Sequence, residues 1–177
     1  MRHRIISWAV LVVFLFVGVI GAQETETKID LPELTLEQKV SRQAWLAVGA
    51  GVLGISFAKS VGKTAEDYGR YMVELWAPGW SANKGSPIRM IQGMYRNLSL
   101  NPSFKMEIFN SSETEVEGRM TVNGIGNFTG GMYYGVSLEE YMRCWAVWQE
   151  GLADYLGLVW EEEFDGEWVN FTLTAKQ

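Results

Sequence analysis

The stretch of residues 137–174 constrains the fold most, because it combines a long amphipathic helix with a β-hairpin. Between residues 138 and 156, apolar side chains recur at spacings of three and four, which predicts a helix with one apolar stripe. Ser137 followed by Glu140 predicts a capping box at the start of this helix, and Gly157 predicts its end.

The hairpin is predicted from the pair Asp165-Gly166, which separates two runs of alternating residues. A two-residue turn at this pair places Phe164 opposite Glu167. One face of the hairpin then carries Glu162 among six apolar side chains: Leu158, Trp160, Phe164, Val169, Phe171 and Leu173. This assignment depends on the register, since a slip of one residue reverses the faces.

Helical spacing with capping signals predicts three earlier helices, over residues 36–61, 65–76 and 87–100. The first is apolar on nearly every side between residues 44 and 58, which is short for a membrane span and favours a buried central helix. Alternation with period two over residues 104–122 predicts a further hairpin. The sequence therefore predicts an α+β fold, in which N-terminal helices precede an antiparallel sheet (hairpin, helix, hairpin) with the long helix packed across it.

The N-terminus has the charged, apolar and small-residue pattern of a secretory signal over residues 1–22. The alternative is an uncleaved anchor over residues 5–22, which would be the chain's contact with a membrane. Residues 23–34 are polar and predict a flexible lead, so that residues 35–177 form a single α+β domain. The expectation is an exported protein, secreted or periplasmic, whose oligomeric state is left open.

Composition excludes several classes of function. The 177 residues carry a net charge of −6, and removal of residues 1–22 leaves 13 Lys and Arg against 21 Asp and Glu, a net charge of −8. An acidic chain without a basic cluster is not expected to bind nucleic acid. The only histidine is His3, so residues 23–177 hold no histidine-based catalytic group and no histidine-ligated zinc or iron. No metal and no cofactor are predicted.

Two residues are candidates for catalysis. Cys144 is the only cysteine, and it serves as a nucleophile only if a neighbour lowers its pKa; a buried inert thiol is the alternative. Glu162 faces an apolar surface in the predicted register, where burial raises the pKa of a carboxylate and suits it to acid–base work or to orienting a ligand. The alternative is a structural carboxylate that reaches solvent or pairs with a cation.

Aromatic residues are the other candidates, since tryptophan, tyrosine and methionine are abundant. An aromatic load of this size suits a pocket for a flat or apolar ligand, or an ordinary core. The predicted ligand-binding residues between the helix and the sheet are Trp145, Trp148, Trp160 and Phe171. The turn over residues 76–80, with a tryptophan at each end, either packs over the domain edge or lines the rim of a pocket.

The C-terminal part resembles the family of L-2-amino-thiazoline-4-carboxylic acid hydrolases. The residues that carry the resemblance are Glu140-Tyr141, Cys144, Trp148, Gly151-Leu152-Ala153, Leu156-Gly157 and Val169-Asn170-Phe171. The resemblance implies hydrolysis of a C–N or C–S bond in a small heterocyclic acid, with Cys144 involved. Asn170 stands where members often carry a cysteine.

Three functions follow from these patterns. The leading prediction is an exported domain that binds a small apolar or aromatic molecule. The second is a hydrolase that uses Cys144, and the third is a structural envelope protein.

Overall fold

The computed structural model describes residues 33–176, so the predicted signal over residues 1–22 lies outside the described residues. The elements are α1 (Leu36–Ser60), α2 (Ala65–Trp76), a 3₁₀ helix (Ala77–Asn83), α3 (Pro87–Leu98), β1 (Met106–Ser111), β2 (Glu115–Thr121), a 3₁₀ helix (Ile125–Phe128), β3 (Met132–Tyr133), β4 (Val136–Ser137), α4 (Leu138–Tyr155), β5 (Leu158–Phe164) and β6 (Trp168–Ala175). Helices and an antiparallel sheet with α4 packed across it confirm the predicted α+β class.

The helix ends follow the capping signals in the sequence. The Ser137 hydroxyl accepts a hydrogen bond from the Glu140 backbone N–H (3.1 Å), and the Glu140 carboxylate accepts one from the Ser137 N–H (2.9 Å). Equivalent capping boxes begin α1 at Thr35 and α2 at Thr64. Gly157, with φ of +74°, follows Leu156, the C-cap residue of α4, at a position where a side chain would strain the backbone.

The four-stranded sheet has the order β1-β2-β6-β5, so the two hairpins join through β2 and β6. The predicted register of the second hairpin was wrong by two residues, because Phe164 lies opposite Val169 rather than Glu167. The Asp165 carboxylate accepts hydrogen bonds from the backbone N–H groups of Glu167 and Trp168 (3.0 and 2.8 Å), which moves the turn one residue along the chain. A shift of two keeps every side chain on its predicted face.

α4 packs against the sheet on one side and against α2 on another. Gly69 of α2 allows the close approach of the two helices, since a Cβ at this position would lie 2.6 Å from the Cys144 carbonyl oxygen. Residues Leu34–Gln177 form one compact unit. Within residues 33–176 the buried core begins at Val48, so a chain of residues 23–177 keeps all of these described core residues.

α1 lies at the surface, and the prediction of a buried central helix was wrong. One side of α1 faces the core through Val48, Val52 and Ile55. Another side is exposed and carries Leu46, Leu53 and Phe57. Within residues 33–176 no single helix has the length and apolar composition of a membrane span, although α1 and the segment Ala65–Asn83, bent by 119° at their break, meet both criteria as a pair.

Residues 123–135, which the sequence left open as a strand or a loop over a pocket, contain the second 3₁₀ helix and β3. β3 pairs with β4 in a two-residue ladder directly before α4. Asn123, at the start of this segment, lines a large cavity between the helices.

Candidate ligand-binding site

A cavity of about 840 Å³ lies between α4 and the three helices that precede it. Its floor consists of buried side chains from four helices: Val48 of α1, Met72 of α2, Met94 of α3, and Tyr141 and Trp148 of α4. Its rim is exposed and includes Leu75, Trp76, Asn97 and Leu100. The cavity is therefore open to solvent at the rim and apolar at the floor.

Four tryptophans form a cluster at this cavity, which we call the tryptophan cluster: Trp76, Trp80, Trp145 and Trp148. Trp148 lies at its centre, with ring centroids at 6.4 Å from Trp76, 6.4 Å from Trp80 and 5.3 Å from Trp145. All three pairs are T-shaped, the arrangement that sets the positive edge of one ring against the face of another. The cluster thus gives the cavity an aromatic wall.

The chain brings these rings together from three elements. Trp145 and Trp148 are three residues apart on α4 and so project from neighbouring positions of the helix. Trp76 ends α2, and Trp80 follows in the first 3₁₀ helix. Gly93 of α3 makes room for Trp80, since a Cβ on Gly93 would lie 2.6 Å from the Trp80 ring.

The cavity carries no formal charge. Among its lining residues, all of which belong to the described part of the chain, none is Asp, Glu, Lys, Arg or His. Two are tyrosines, and burial raises the pKa of both Tyr68 and Tyr141, so both phenols are neutral at physiological pH. The polar groups of the lining are therefore dipoles, supplied by amides, phenols and indoles.

Two buried polar atoms of lining residues have no hydrogen-bond partner within residues 33–176, namely Trp148 Nε1 and Asn123 Oδ1. The other groups of Asn123 are engaged: its amide nitrogen donates to the Leu98 carbonyl (3.4 Å), and its backbone carbonyl accepts from the Tyr141 hydroxyl (3.0 Å). A buried polar atom without a partner costs free energy. A bound molecule or an ordered water that supplied a partner would recover part of that cost.

The structure does not bring the four predicted ligand-binding residues to one site. Trp145 and Trp148 line the cavity, whereas Trp160 and Phe171 stack on each other in the sheet, with centroids 4.9 Å apart and planes at 15°. The prediction placed the ligand between α4 and the sheet, but the large cavity lies between α4 and the helices. A small space of about 50 Å³ lies between α4 and the sheet.

Glu162 lies on the core-facing side of β5, apart from the cavity lining. Its carboxylate accepts a hydrogen bond from Trp160 Nε1 (2.7 Å), and the side-chain nitrogen of Gln149 lies 2.9 Å from it in the amide orientation that satisfies both groups. Burial raises the pKa of Glu162, opposed by the Trp160 hydrogen bond. These contacts tie β5 to α4 and place Glu162 where it does not reach a ligand in the cavity.

Cys144 is buried, with 1% of its surface exposed, and it is absent from the cavity lining. Burial raises the pKa of its thiol to about 12, with a further contribution from the negative charge of Glu66. A nucleophilic cysteine needs the opposite, a lowered pKa and access to substrate. The surroundings of Cys144 are those of an inert core thiol.

Sequence reasoning missed Tyr68, Asn123 and Tyr141 as lining residues, but it did single out the turn over residues 76–80. That turn both packs and lines a pocket, since Trp76 and Trp80 contact Trp148 and also line the cavity. The described residues contain no group of three or more His, Cys, Asp or Glu placed to hold a metal ion.

Comparison with known proteins gives no family. No protein-family model matches the chain, and no curated protein matches it. A solved structure of an H-NOX protein mutant from K. algicida, in its Fe(II) unliganded form, is similar over 93% of this chain and 86% of that chain, at 9% identity and a TM-score of 0.40. A likeness at this level carries no argument about the present chain, whose site is interpreted from its own geometry.

Proposed function

We propose that this α+β protein is exported and binds a small, uncharged, apolar or aromatic molecule in the cavity beside the tryptophan cluster. The observation that carries the proposal is an uncharged cavity of about 840 Å³ whose floor is apolar and whose wall is formed by four tryptophans. The proposal that the protein is exported rests on the signal pattern of residues 1–22.

The size of the cavity supports a small-molecule ligand. Ligand pockets have volumes of roughly 300–1,000 Å³ and combine apolar walls with a few polar groups that orient the ligand. The present cavity falls within that range and has Asn97, Asn101 and Asn123 among its few polar side chains. These amides suit a ligand with one or two neutral polar groups on an apolar body.

The absence of charge among the lining residues, all within residues 33–176, selects the class of ligand. An ionised ligand would lose its hydration on entry and find no opposite charge at the floor, which is costly. A neutral aromatic ligand would instead gain offset or T-shaped contacts with the indole rings. The cavity should therefore prefer the uncharged member of any pair of otherwise similar molecules.

The hydrolase and the structural envelope protein, the other two functions expected from the sequence, lack an observation of this kind. Cys144 lies in the core with a raised pKa, outside the cavity lining. A hydrolase of this type would need a thiolate that reaches its substrate. Ligand binding is thus the function that the geometry supports best.

The experiment that tests the proposal is a fluorescence titration with a matched pair of probes. N-phenylnaphthylamine is neutral and apolar, and anilinonaphthalene sulfonate adds a negative charge to the same scaffold. We expect the neutral probe to bind with energy transfer from the tryptophan cluster and at least about tenfold more tightly, since one tenfold step equals about 1.4 kcal/mol. Equal binding of both probes, or binding of neither, would overturn the proposal.

A pair of variants locates the probe. Ala44 lines the cavity and is half-buried, so Ala44→Phe should fill part of the cavity and weaken binding of the neutral probe at least about tenfold. Ala82→Phe places the same side chain at an exposed position of the first 3₁₀ helix, outside the lining, and should leave binding unchanged. Equal effects of the two variants would place the probe elsewhere.

A further inference from the structure

The exposed side of α1 is an apolar face without a partner among the described residues. Leu46 is 61% exposed, Leu53 is 53% exposed and Phe57 is 69% exposed. Residues seven and eleven positions apart on a helix lie on the same side, so these three side chains form one stripe. We call this stripe the α1 face.

The α1 face is uncharged over a long distance. From Gln43 to Ala58, sixteen consecutive positions hold no Asp, Glu, Lys, Arg or His, on any side of the helix. A helix that is apolar all round is normally buried all round. In α1 only the side with Val48, Val52 and Ile55 is buried. The outer side is apolar but exposed to solvent, although an apolar helix side is normally packed against another surface.

Basic residues stand at both ends of the α1 face. Lys39 and Arg42 continue it toward the N-terminus, at positions seven and four before Leu46, and both are exposed. Lys63, also exposed, follows the C-terminal end of α1. The only acidic residue of α1 is Glu37, which lies half a turn away from the α1 face. These cations contrast with the chain's net charge of −6.

We propose that the α1 face docks on the surface of an anionic lipid bilayer. The apolar side chains would enter the boundary between headgroups and acyl chains, while the basic residues at the ends would contact anionic headgroups. The inference goes beyond ligand binding in the cavity, and it places α1 in the plane of the membrane rather than across it.

A second copy of the chain suits the α1 face less well. Two copies with antiparallel α1 helices would bring Lys39 and Arg42 of one near Lys63 of the other, and parallel helices would bring each basic end against itself. Like charges at a protein interface oppose association in either arrangement. Anionic lipid, in contrast, is attracted to both ends at once.

The position of the cavity is consistent with a lipid surface. α1 contributes its exposed residues Ala47 and Ala50 to the cavity lining. Ala50 follows Leu46 by four positions and precedes Leu53 by three, so it lies on the same side of the helix as the α1 face. The mouth of the cavity is therefore continuous with the α1 face. A docked α1 would set the cavity beside the bilayer, where apolar molecules are concentrated.

The test is flotation of residues 23–177 with vesicles of phosphatidylcholine and phosphatidylglycerol, so that residues 5–22 do not contribute. We expect the protein to float with the vesicles. Phe57→Glu should reduce binding at least about tenfold, since burial of one phenylalanine side chain raises affinity by about that factor. Phe109→Glu is the matched control, because Phe109 is 61% exposed on β1, an edge strand of the sheet, and is not part of the α1 face; it should float like the wild type.

Three results would overturn the proposal: no flotation of the wild type, equal flotation of the wild type and Phe57→Glu, or a dimer in analytical ultracentrifugation that Phe57→Glu abolishes. Such a dimer would show that the α1 face binds a second copy of the chain. Ala44→Phe, which fills part of the cavity, should float normally, so failure of membrane docking and failure of ligand binding are distinguishable.

Discussion

At the scale of single residues, Glu162 shows how one carboxylate links local structure to the pH dependence of stability. Burial raises its pKa above the ordinary value of 4.5. At pH values below 4.5 the side chain is protonated in both the folded and the unfolded chain, and its contribution to stability is intact. As the pH rises, the unfolded chain ionises first, so the folded state loses stability up to the raised folded-state pKa.

We therefore expect Glu162→Gln to gain stability relative to the wild type at neutral pH, with a difference that disappears below pH 4.5. The glutamine oxygen keeps the hydrogen bond from Trp160 Nε1. Chemical denaturation at several pH values measures the difference. Glu163→Gln, on the exposed side of the same strand, is the control. A Glu162→Gln difference that stays constant from acidic to neutral pH would contradict this account.

Cys144 provides a second prediction at this scale. Because its thiol is buried and its pKa is about 12, it should not react with a disulfide reagent at neutral pH in the folded protein, and it should react fully after denaturation. Cys144→Ala should retain binding of the neutral probe. Rapid labelling of the folded protein would instead support the hydrolase expected from the family resemblance.

At the scale of elements, the contact between α2 and α4 depends on a missing side chain. A Cβ at Gly69 would lie 2.6 Å from the Cys144 carbonyl oxygen, which is backbone and yields little. We expect Gly69→Ala to lower the free energy of unfolding by about 1–3 kcal/mol, as overpacking of a core does. Urea denaturation measures the change.

Gly49→Ala is the matched control for Gly69→Ala. Gly49 also lies inside a helix, but a Cβ there meets no atom within 4 Å. Alanine is favoured over glycine in a helix by about 1 kcal/mol, so this variant should be more stable than the wild type. The same sign of change in both variants would show that helix propensity, and not the close approach at Gly69, decides their stability.

The elements also show what the sequence could and could not predict. Capping boxes fixed the starts of α1, α2 and α4, because a side chain and a backbone group three residues apart carry that signal locally. The hairpin turn was misplaced because the Asp165 side chain binds two backbone N–H groups and changes the turn. The exposure of α1 was not predictable, since an apolar helix gives no sign of which side faces the core.

At the scale of the whole molecule, α4 is the element that contacts both the sheet and the other helices. The apolar stripe of α4 reaches Glu162 on the sheet through Gln149, and it also carries Tyr141, Trp145 and Trp148 into the cavity. Sequence periodicity identified α4 as apolar along one stripe. It could not divide that stripe between a packed core and an open cavity, because the division depends on partners as far away in the chain as Val40, which is 108 positions before Trp148 (148 − 40).

The tryptophan cluster illustrates the same limit. Trp76 and Trp148 are 72 positions apart (148 − 76) and meet only after α2 packs on α4. The sequence suggested a pocket-lining role for each pair separately, and only the fold joins them. The cavity beside the cluster therefore forms only when the helices pack together, and its preference for a ligand depends on the whole fold.

The measurement that tests the central claim most directly is native mass spectrometry of residues 23–177 after incubation with a total lipid and small-molecule extract of the native host, for the wild type and Ala44→Phe side by side. The account predicts that the wild type retains a neutral, apolar molecule that is released on denaturation, and that Ala44→Phe retains little of it. The bare polypeptide mass for both proteins, or equal retention by both, would contradict a ligand in the cavity.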